Sequence, residues 1–143
     1  MSRSRNLWAV VLAAGDGTRL ASLTQDADGY AVPKQFCSLD GGGALVQEAL
    51  QRARQIAPID QVSVIVARQH SHYWRQVLCD EPARNIIVQP HNRGTAHGIL
   101  LSVLSILERD PLARIMFLPA DHFVLDERSM ELALRELSLH LRR

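Results

Sequence analysis

Four short apolar runs divide the chain, at residues 8–13, 62–67, 85–89 and 114–118. Each run is rich in Val, Ile, Leu or Phe and is nearly continuous, whereas a half-exposed strand would alternate apolar and polar residues. The runs therefore predict four strands, each covered on both faces of a sheet.

Segments with a helical spacing of apolar residues separate and follow these runs. Residues 46–56 carry one apolar face, and residues 71–78 form a shorter segment of the same kind. The segment after the third run has the most regular face, formed by Ala96, Ile99, Leu100, Val103, Leu104 and Leu107. The last helix is predicted to begin after Asp126 as its N-cap and to bury Met130, Leu134, Leu137 and Leu141.

The alternation of strands and helices predicts an α/β fold of three layers, with helices on both faces of a mostly parallel, Rossmann-like sheet. Ligands of such sheets bind beyond the carboxyl ends of the strands, near the point where the strand order reverses. We therefore expect the functional residues in the loops that follow the four strands.

The composition is that of an ordinary globular chain. The 143 residues are 47% hydrophobic and 22% charged, which fits one domain. Sixteen Lys and Arg against fifteen Asp and Glu give no basic bias, which disfavours general binding to nucleic acid or to a membrane surface. No apolar run approaches the ~20 residues of a membrane span.

Two further features concern the cellular compartment. Cys37 and Cys79 are too few for a disulfide framework and lack metal-ligand spacing. The N-terminal apolar run leads directly to Gly15 without the small-residue cleavage pattern of a signal peptide. We therefore expect a cytoplasmic protein with reduced thiols.

The first predicted strand leads into a glycine-rich segment, LAAGDGTRL at residues 12–20, of which residues 15–19 are called the glycine loop below. Glycines allow a tight turn and bring backbone N–H groups close to an anion. Thr18 can donate a hydroxyl, and Arg19 can bind a phosphate through two N–H groups. The Walker spacing is absent, and Leu20 stands where a dinucleotide fingerprint has its third glycine. A phosphate site and a simple strand-to-helix turn both fit this loop.

Lys34 and Asp121 are candidates for the same site. Lys34, in PKQF at residues 33–36, can bring a positive charge to a phosphate at the glycine loop. Asp121 follows the last strand and is suitably placed to hold Mg²⁺ against a nucleotide phosphate. His122 is interpreted as a hydrogen-bonding neighbour, because Mg²⁺ prefers oxygen ligands. A solvated lysine and a turn aspartate are the alternatives.

These motifs together resemble the signature of sugar-1-phosphate nucleotidyltransferases. LAAGDGTRL and PKQF carry the general resemblance, and residues 45–52 resemble the first helix of the family. QPHNRGTA at residues 89–96 and FLPADH at residues 117–122 are similar to segments of mannose-1-phosphate guanylyltransferases that face the base and bind metal. The resemblance extends from about residue 7 to the C-terminus, and its specificity comes from the order of the motifs.

The resemblance implies a nucleotide-diphospho-sugar transferase fold and a transfer reaction in which a sugar-1-phosphate attacks the α-phosphate of GTP and pyrophosphate leaves. It implies nucleotide contacts at the glycine-rich segment, from Ala14, Gly15, Gly17 and Thr18. Arg19 would stabilise the pyrophosphate, and Lys34 would contact the phosphates. It places three residues near the guanine, namely Arg93, Gly94 and Thr95. Asp121 would hold Mg²⁺ as the cofactor.

The sequence departs from the family pattern in three places. The segment at residues 20–32 is longer than usual and lacks a Trp-Pro pair, and Gly94 replaces an asparagine, which leaves the base open. The sugar pocket and a second metal-binding aspartate of the family come later in the chain than Arg143. Residues 1–143 are therefore expected to be the nucleotide-binding part of a truncated transferase domain, without the sugar-binding part, and with little or no turnover.

Other readings stay open. A cytidylyltransferase of isoprenoid synthesis would carry a similar glycine loop and Pro-Lys-Gln, although the ending at Asp121 and His122 argues against it. A non-catalytic nucleotide-binding or regulatory module is the alternative from another class. The expected partners are GTP and a sugar-1-phosphate, with no nucleic acid and no membrane, and a homodimer that shares its sites is left open.

Overall fold

A computed structural model describes residues 6–17 and 24–140. The strands within these residues are β1 (Leu7–Ala13), β2 (Val62–Ala67), β3 (Ile86–Gln89) and β4 (Arg114–Pro119). The α-helices are α1 (Leu45–Ile56), α2 (Ser71–Val77), α3 (Thr95–Arg109) and α4 (Glu127–His140). Every strand and helix predicted from the sequence is present, with bounds that agree to within about three residues.

The four strands form one parallel sheet in the order β3-β2-β1-β4. The chain moves outward from β1 to β2 and β3, and then returns to the other side of β1 as β4. In the register of the central pairs, Ala9 lies opposite Val62 on one side and opposite Met116 on the other. The strand order therefore reverses between β1 and β4, and the carboxyl ends of these two strands form the switch point where such sheets bind ligands.

The sheet has a core on each face, as the predicted three-layer α/β/α fold requires. Alternate residues of β1 and β2, such as Val11 and Val64, pack with α1, α2 and the buried Leu134 of α4. The other face of the same strands, including Val10 and Ile65, packs against α3. β1 and β2 are buried along nearly their whole length, as their continuous apolar runs predict, whereas β3 and β4 are only partly buried.

The predicted buried face of α3 is wrong. Of the residues predicted to be buried, Leu100 and Leu104 are 56% and 58% exposed, and Ile99 and Val103 are only partly buried. The buried face is formed by Gly98, Ser102 and Ile106, which follow one another at intervals of four residues.

Small residues explain this orientation of α3. A Cβ atom at Gly98 would lie 3.4 Å from Oε1 of Gln89 and 3.5 Å from Cδ1 of Ile65, so the helix lies very close to the sheet. The hydroxyl of Ser102 is fully buried and donates to the carbonyl oxygen of Gly98 within the helix. A rule that assigns the most apolar face to the core misses a contact that depends on small side chains.

The prediction for α4 is confirmed at its start and wrong along part of its face. The backbone N–H of Ser129 donates to Oδ1 of Asp126 at 3.0 Å, which is the expected N-cap bond. Leu134 is buried and Met130 is partly buried, but Leu137 is exposed. Leu141 lies outside the described residues.

An ion pair fastens α4 to α1. The guanidinium of Arg52 is nearly fully buried and donates to both carboxylate oxygens of Glu127, at 2.9 Å from Nε and 2.5 Å from the terminal nitrogen. This contact anchors the segment that begins α4 and follows the carboxyl end of β4. Within the described part of the chain, no helix is both long and apolar enough to cross a membrane.

Candidate functional site

An open pocket of about 780 Å³ lies at the carboxyl edge of the sheet. Its walls come from the loops that follow β1, β3 and β4 and from the short 3₁₀ helix Lys34–Phe36. The site residues predicted from the sequence that line this pocket are Ala14, Gly15, Gly17, Lys34, Gly94, Thr95 and Asp121. Residues far apart in sequence thus meet at the topological switch point, where the α/β fold predicts a ligand.

Gln35 holds the described part of the glycine loop in place. Its buried side-chain amide donates to the carbonyl oxygens of Ala13 at 3.1 Å and Gly15 at 2.8 Å. These bonds tie the end of β1 and the start of the glycine loop to the 3₁₀ helix. From the sequence, Gln35 was predicted only as part of the PKQF motif, and no local pattern indicates these two bonds.

Glycine serves a different structural purpose at each of the two loop positions, 15 and 17. Gly17 has φ +61°, and a Cβ atom there would lie 3.3 Å from the backbone nitrogen of Lys34. This close approach brings the Lys34 backbone to the loop. Gly15 has ordinary φ, and a Cβ atom there would meet no other atom within 4 Å, so this glycine leaves open space beside the pocket.

Lys34 lines the pocket at the start of the 3₁₀ helix. Lys34 is half-buried, and the next two residues of this helix, Gln35 and Phe36, are buried. It is also the only lysine in the 143-residue sequence, in which all other basic side chains of this length are arginines. A positive charge on a well-anchored segment is suited to contact a phosphate.

The first turn of α3 faces the pocket through Gly94 and Thr95. Gly94 has φ +89° and ψ 174°, a conformation that is essentially restricted to glycine. Its N–H donates to Oδ1 of Asn92 at 2.9 Å, and as the N-cap residue Gly94 has no side chain that could cap the helix that follows. Free N–H groups and the helix dipole favour an anion at this end. Arg93 is exposed and does not line the pocket.

Gln89 is a pocket residue that the sequence analysis did not single out. It ends β3, its side chain is 4% exposed, and it lies against Gly98 of α3. Its amide brings one donor group and one acceptor to a wall that is otherwise formed by glycines and the start of a helix. The available signal was its position as a polar residue at the carboxyl end of an apolar run.

Asp121 reaches the pocket because β4 pairs directly with β1. The N–H of Ala120 donates to the carbonyl oxygen of Leu12 at 3.2 Å, which aligns the ends of the two strands. The Asp121 side chain is about half exposed. Nε2 of His122 lies 3.9 Å from Oδ1 of Asp121, which is too long for a hydrogen bond. The expected hydrogen bond from His122 is therefore not present.

The sequence comparison agrees with this arrangement. The model of a protein family described as nucleotidyl transferase matches residues 8–137, which include nearly all of the four strands and four α-helices. The chain belongs to the nucleotidyl transferase family.

Curated relatives of this nucleotidyl transferase chain include two mannose-1-phosphate guanylyltransferases. The protein from Escherichia coli K12 is 33% identical over 141 residues, covering 94% of this chain and 28% of that protein. RfbM from Salmonella typhimurium LT2 is 33% identical over 132 residues, covering 88% of this chain and 26% of that protein. The chain thus spans about a quarter of the length of the curated relatives it matches.

A solved structure has the same fold. A protein from Thermus thermophilus, described as a mannose-1-phosphate geranyltransferase, matches with a TM-score of 0.74 and 29% identity. The match covers 92% of this chain and 37% of that protein. The parallel sheet with its flanking helices is therefore the fold of the nucleotidyl transferase family, as the sequence resemblance implies.

The donor set of the pocket is compatible with one type of metal site. Among the described residues, no group of three or more His, Cys, Asp or Glu side chains is arranged to hold a metal ion. Mg²⁺, however, commonly binds through one or two carboxylates, substrate phosphates and water. Asp121, with its half-exposed carboxylate on the pocket wall, fits that mode of binding and does not fit a closed protein cage.

Two of the predicted site residues, Thr18 and Arg19, lie outside the described residues. Their proposed contacts with a phosphate stay predictions. The part of the glycine loop that is described ends at Gly17, whose backbone already lies beside the pocket.

Proposed function

We propose that this chain forms the nucleotide-binding part of an enzyme that transfers a guanylyl group from GTP to a sugar-1-phosphate. The observation that carries the proposal is the pocket that gathers the glycine loop, Lys34, the start of α3 and Asp121 at the switch point of the sheet. The names of the curated relatives support guanine as the base and mannose-1-phosphate as the second substrate.

In the proposed reaction, a phosphate oxygen of the sugar-1-phosphate forms a bond to the α-phosphorus of GTP. The bond from that phosphorus to the oxygen bridging it to the β-phosphorus breaks, and pyrophosphate leaves with the electron pair. The protein supplies position and charge in such transfers and forms no covalent intermediate of its own. Lys34 contacts the phosphates, and Arg19 stabilises the charge on the pyrophosphate.

The backbone of Ala14, Gly15 and Gly17 cradles the triphosphate in this proposal, with Thr18 as a hydroxyl donor. The loop at Arg93, Gly94 and Thr95 lies on the side of the base. The N–H groups in the first turn of α3, which the N-cap Gly94 does not cap, supply additional donors. The buried amide of Gln89 provides a donor and an acceptor for recognition of the base edge.

Asp121 is proposed to hold Mg²⁺ together with the phosphates. The bound ion would neutralise charge on the triphosphate and on the pyrophosphate that leaves. Asp121→Asn keeps the size of the side chain and removes its charge, so GTP binding should lose its Mg²⁺-dependent part and keep the metal-free part. If GTP binding by this variant kept its full Mg²⁺ dependence, Asp121 would be a turn residue that holds no metal.

Thermal unfolding with nucleotides tests the proposal. GTP with Mg²⁺ should raise the melting temperature more than ATP, CTP or UTP does, and a ligand at ~100 times its Kd adds about 2.7 kcal/mol of stability. Equal shifts with all four nucleotides would remove the guanine assignment. The absence of a shift with any of them would overturn nucleotide binding.

Release of pyrophosphate tests the second reactant. The proposal assigns the described pocket to the nucleotide and assigns none of its residues to the sugar. The 143-residue chain should therefore release little pyrophosphate from GTP, with or without mannose-1-phosphate. Strong sugar-dependent release would show that this chain holds both reactants, in one copy or between two copies.

A further inference from the structure

Asp16 connects three loops at the carboxyl edge of the sheet. It belongs to the glycine loop after β1, and its carboxylate accepts hydrogen bonds from the loops after β2 and β3. Nε2 of Gln69 lies 2.5 Å from Oδ1, and Nδ2 of Asn92 lies 2.7 Å from Oδ2. Gln69 and Asn92 have no sequence proximity to each other or to Asp16, so the contacts depend on the strand order β3-β2-β1.

The contact to Asn92 continues to the start of α3. While Nδ2 of Asn92 donates to Asp16, Oδ1 of the same side chain accepts the N–H of Gly94 at 2.9 Å. This second bond fixes the amide orientation, because a flipped Asn92 would present its NH₂ group to the N–H of Gly94. A continuous path of hydrogen bonds thus runs from the glycine loop to the N-terminus of α3.

A third group completes the surroundings of Asp16. Nε2 of His70 lies 3.5 Å from Oδ1 of Asp16, and the His70 ring packs edge-on against Phe36 at 6.3 Å between centroids. Phe36 follows Lys34 and Gln35 in the same 3₁₀ helix. Asp16 therefore contacts the loop after β3, which lines the pocket, and the segment after β2, which packs through His70 against the 3₁₀ helix of another wall.

We propose that Asp16 is a positioning residue of the nucleotide site, whose carboxylate holds the loops after β2 and β3 against the glycine loop. The hydrogen bonds from Gln69 and Asn92 to Asp16 are called the clasp below. This inference rests on the proposed nucleotide function. The clasp holds the glycine loop and the start of α3 at the separation that a bound nucleotide needs. Asp16 acts on the ligand through its partners and makes no contact with the reacting atoms.

Charge and position predict opposite effects for a change at Asp16. A carboxylate beside a triphosphate repels it, so a purely electrostatic role predicts tighter GTP binding when the charge is removed. The clasp predicts weaker binding, because the loops lose the group that holds them together. The sign of the change in affinity therefore separates the two roles.

Exchanging the two side chains, by combining Asp16→Asn with Asn92→Asp, should restore the hydrogen bond that each single variant loses. In Asp16→Asn, the new side-chain NH₂ group at position 16 faces an NH₂ donor of Asn92, so the hydrogen bond between the two residues is lost. In Asn92→Asp, the carboxylates at positions 16 and 92 face each other and repel. In the double variant, the new amide at position 16 donates to the new carboxylate at position 92 and accepts from Gln69. That carboxylate still accepts from Gly94, and the total charge equals that of the original chain.

GTP affinity is measured by calorimetric titration of the original chain, both single variants and the exchange. Each single variant should bind GTP on the order of tenfold more weakly, since charged hydrogen bonds of this kind are lost. The exchange should restore the affinity to within about threefold. Asp80→Asn, which removes an exposed carboxylate outside the pocket, is the control and should leave the affinity unchanged.

Hydrogen–deuterium exchange in the absence of nucleotide tests the clasp separately. Amides at residues 13–17 and 91–95 should exchange faster in both single variants and return to the original rate in the double variant. Unchanged exchange in both single variants would overturn the clasp, even if GTP does not bind at all. Tighter GTP binding by Asp16→Asn, or no recovery in the exchange, would overturn the positioning role. Failure of the original chain to bind GTP would overturn the proposed function alone.

Discussion

The side-chain amide of Gln35 donates to the carbonyl oxygen of Gly15, twenty residues earlier in the chain, at 2.8 Å. Its second N–H bond, to Ala13, is made at the very end of β1. The glycine loop is therefore held from the side of the 3₁₀ helix by a residue with two donors, and a carboxylate in the same place has none.

Gln35→Glu should destabilise the fold. The change removes both donors and places a buried negative charge against two carbonyl oxygens, which lowers the free energy of unfolding by about 2 kcal/mol or more at pH 7. Part of the loss should return at pH 4, because a protonated carboxyl can donate one bond. Urea unfolding at the two pH values measures this, with Gln76→Glu on the exposed side of α2 as the control. Equal behaviour of the two variants would contradict the assigned bonds.

Gly17→Ala and Gly15→Ala should affect different properties. Gly17 has positive φ and close contact with Lys34, so alanine there should lower the free energy of unfolding by about 1–2 kcal/mol. Gly15 has open space around it, so alanine there should leave the melting temperature nearly unchanged and weaken GTP binding, since the methyl group enters the pocket. A loss of stability in Gly15→Ala, without a change in affinity, would contradict this assignment.

Truncations on the two sides of α3 should differ strongly in cost. Ile106→Ala removes a fully buried side chain and should lower the free energy of unfolding by about 2–5 kcal/mol. Leu104→Ala removes an exposed side chain and should change it by less than about 0.5 kcal/mol. Chemical unfolding of both variants checks the orientation of the helix. Comparable losses would show that the leucine face is buried.

His70 should make stability sensitive to pH in a defined direction. Burial lowers the pKa of His70 in the folded chain below its ordinary value of 6.5, and the nearby Asp16 only partly opposes this shift. The unfolded chain therefore binds a proton first, and stability should fall as the pH drops below 6.5. His70→Gln should reduce this slope, while His72→Gln, on an exposed side chain, should keep it. Melting temperatures between pH 5 and pH 8 measure the effect, and an unchanged slope in His70→Gln would refute the assignment.

Lys34 can be followed chemically because it is the only lysine. The only amines in this sequence that an acetylating reagent can modify are its side chain and the N-terminal amine. GTP should slow the acetylation of Lys34 and leave that of the N-terminal amine unchanged, which peptide mass spectrometry separates. Equal rates with and without saturating GTP would assign Lys34 to the solvated surface.

The strands and helices were predictable because the apolar runs and helical spacings are local properties of the sequence. The outward face of α3 was not, because its packing depends on Gly98 and Ser102 meeting a sheet whose position no local pattern describes. Hydrophobicity identifies a helix more reliably than it identifies the face that is buried when small residues allow close approach.

The location of the site was predictable, and its internal bonding was not. The order of the motifs indicated which loops meet, and Gly15, Lys34 and Asp121 do line one pocket. The partners of Asp16 depend on β2 lying between β1 and β3, which the sequence does not specify. Gln69 and Asn92 therefore carry no recognisable signal until the strand order is known.

The strand order also determines when β1 can be completed during synthesis. Leu7 pairs with Arg114, so the central strand is made first and acquires its second neighbour last. At about 5–20 residues per second, one hydrogen-bonding edge of β1 stays unpaired on the ribosome for roughly 5–20 s. A nascent chain that ends between α3 and β4 has β1 paired on one side only, and the other edge is open to pairing with strands of other chains.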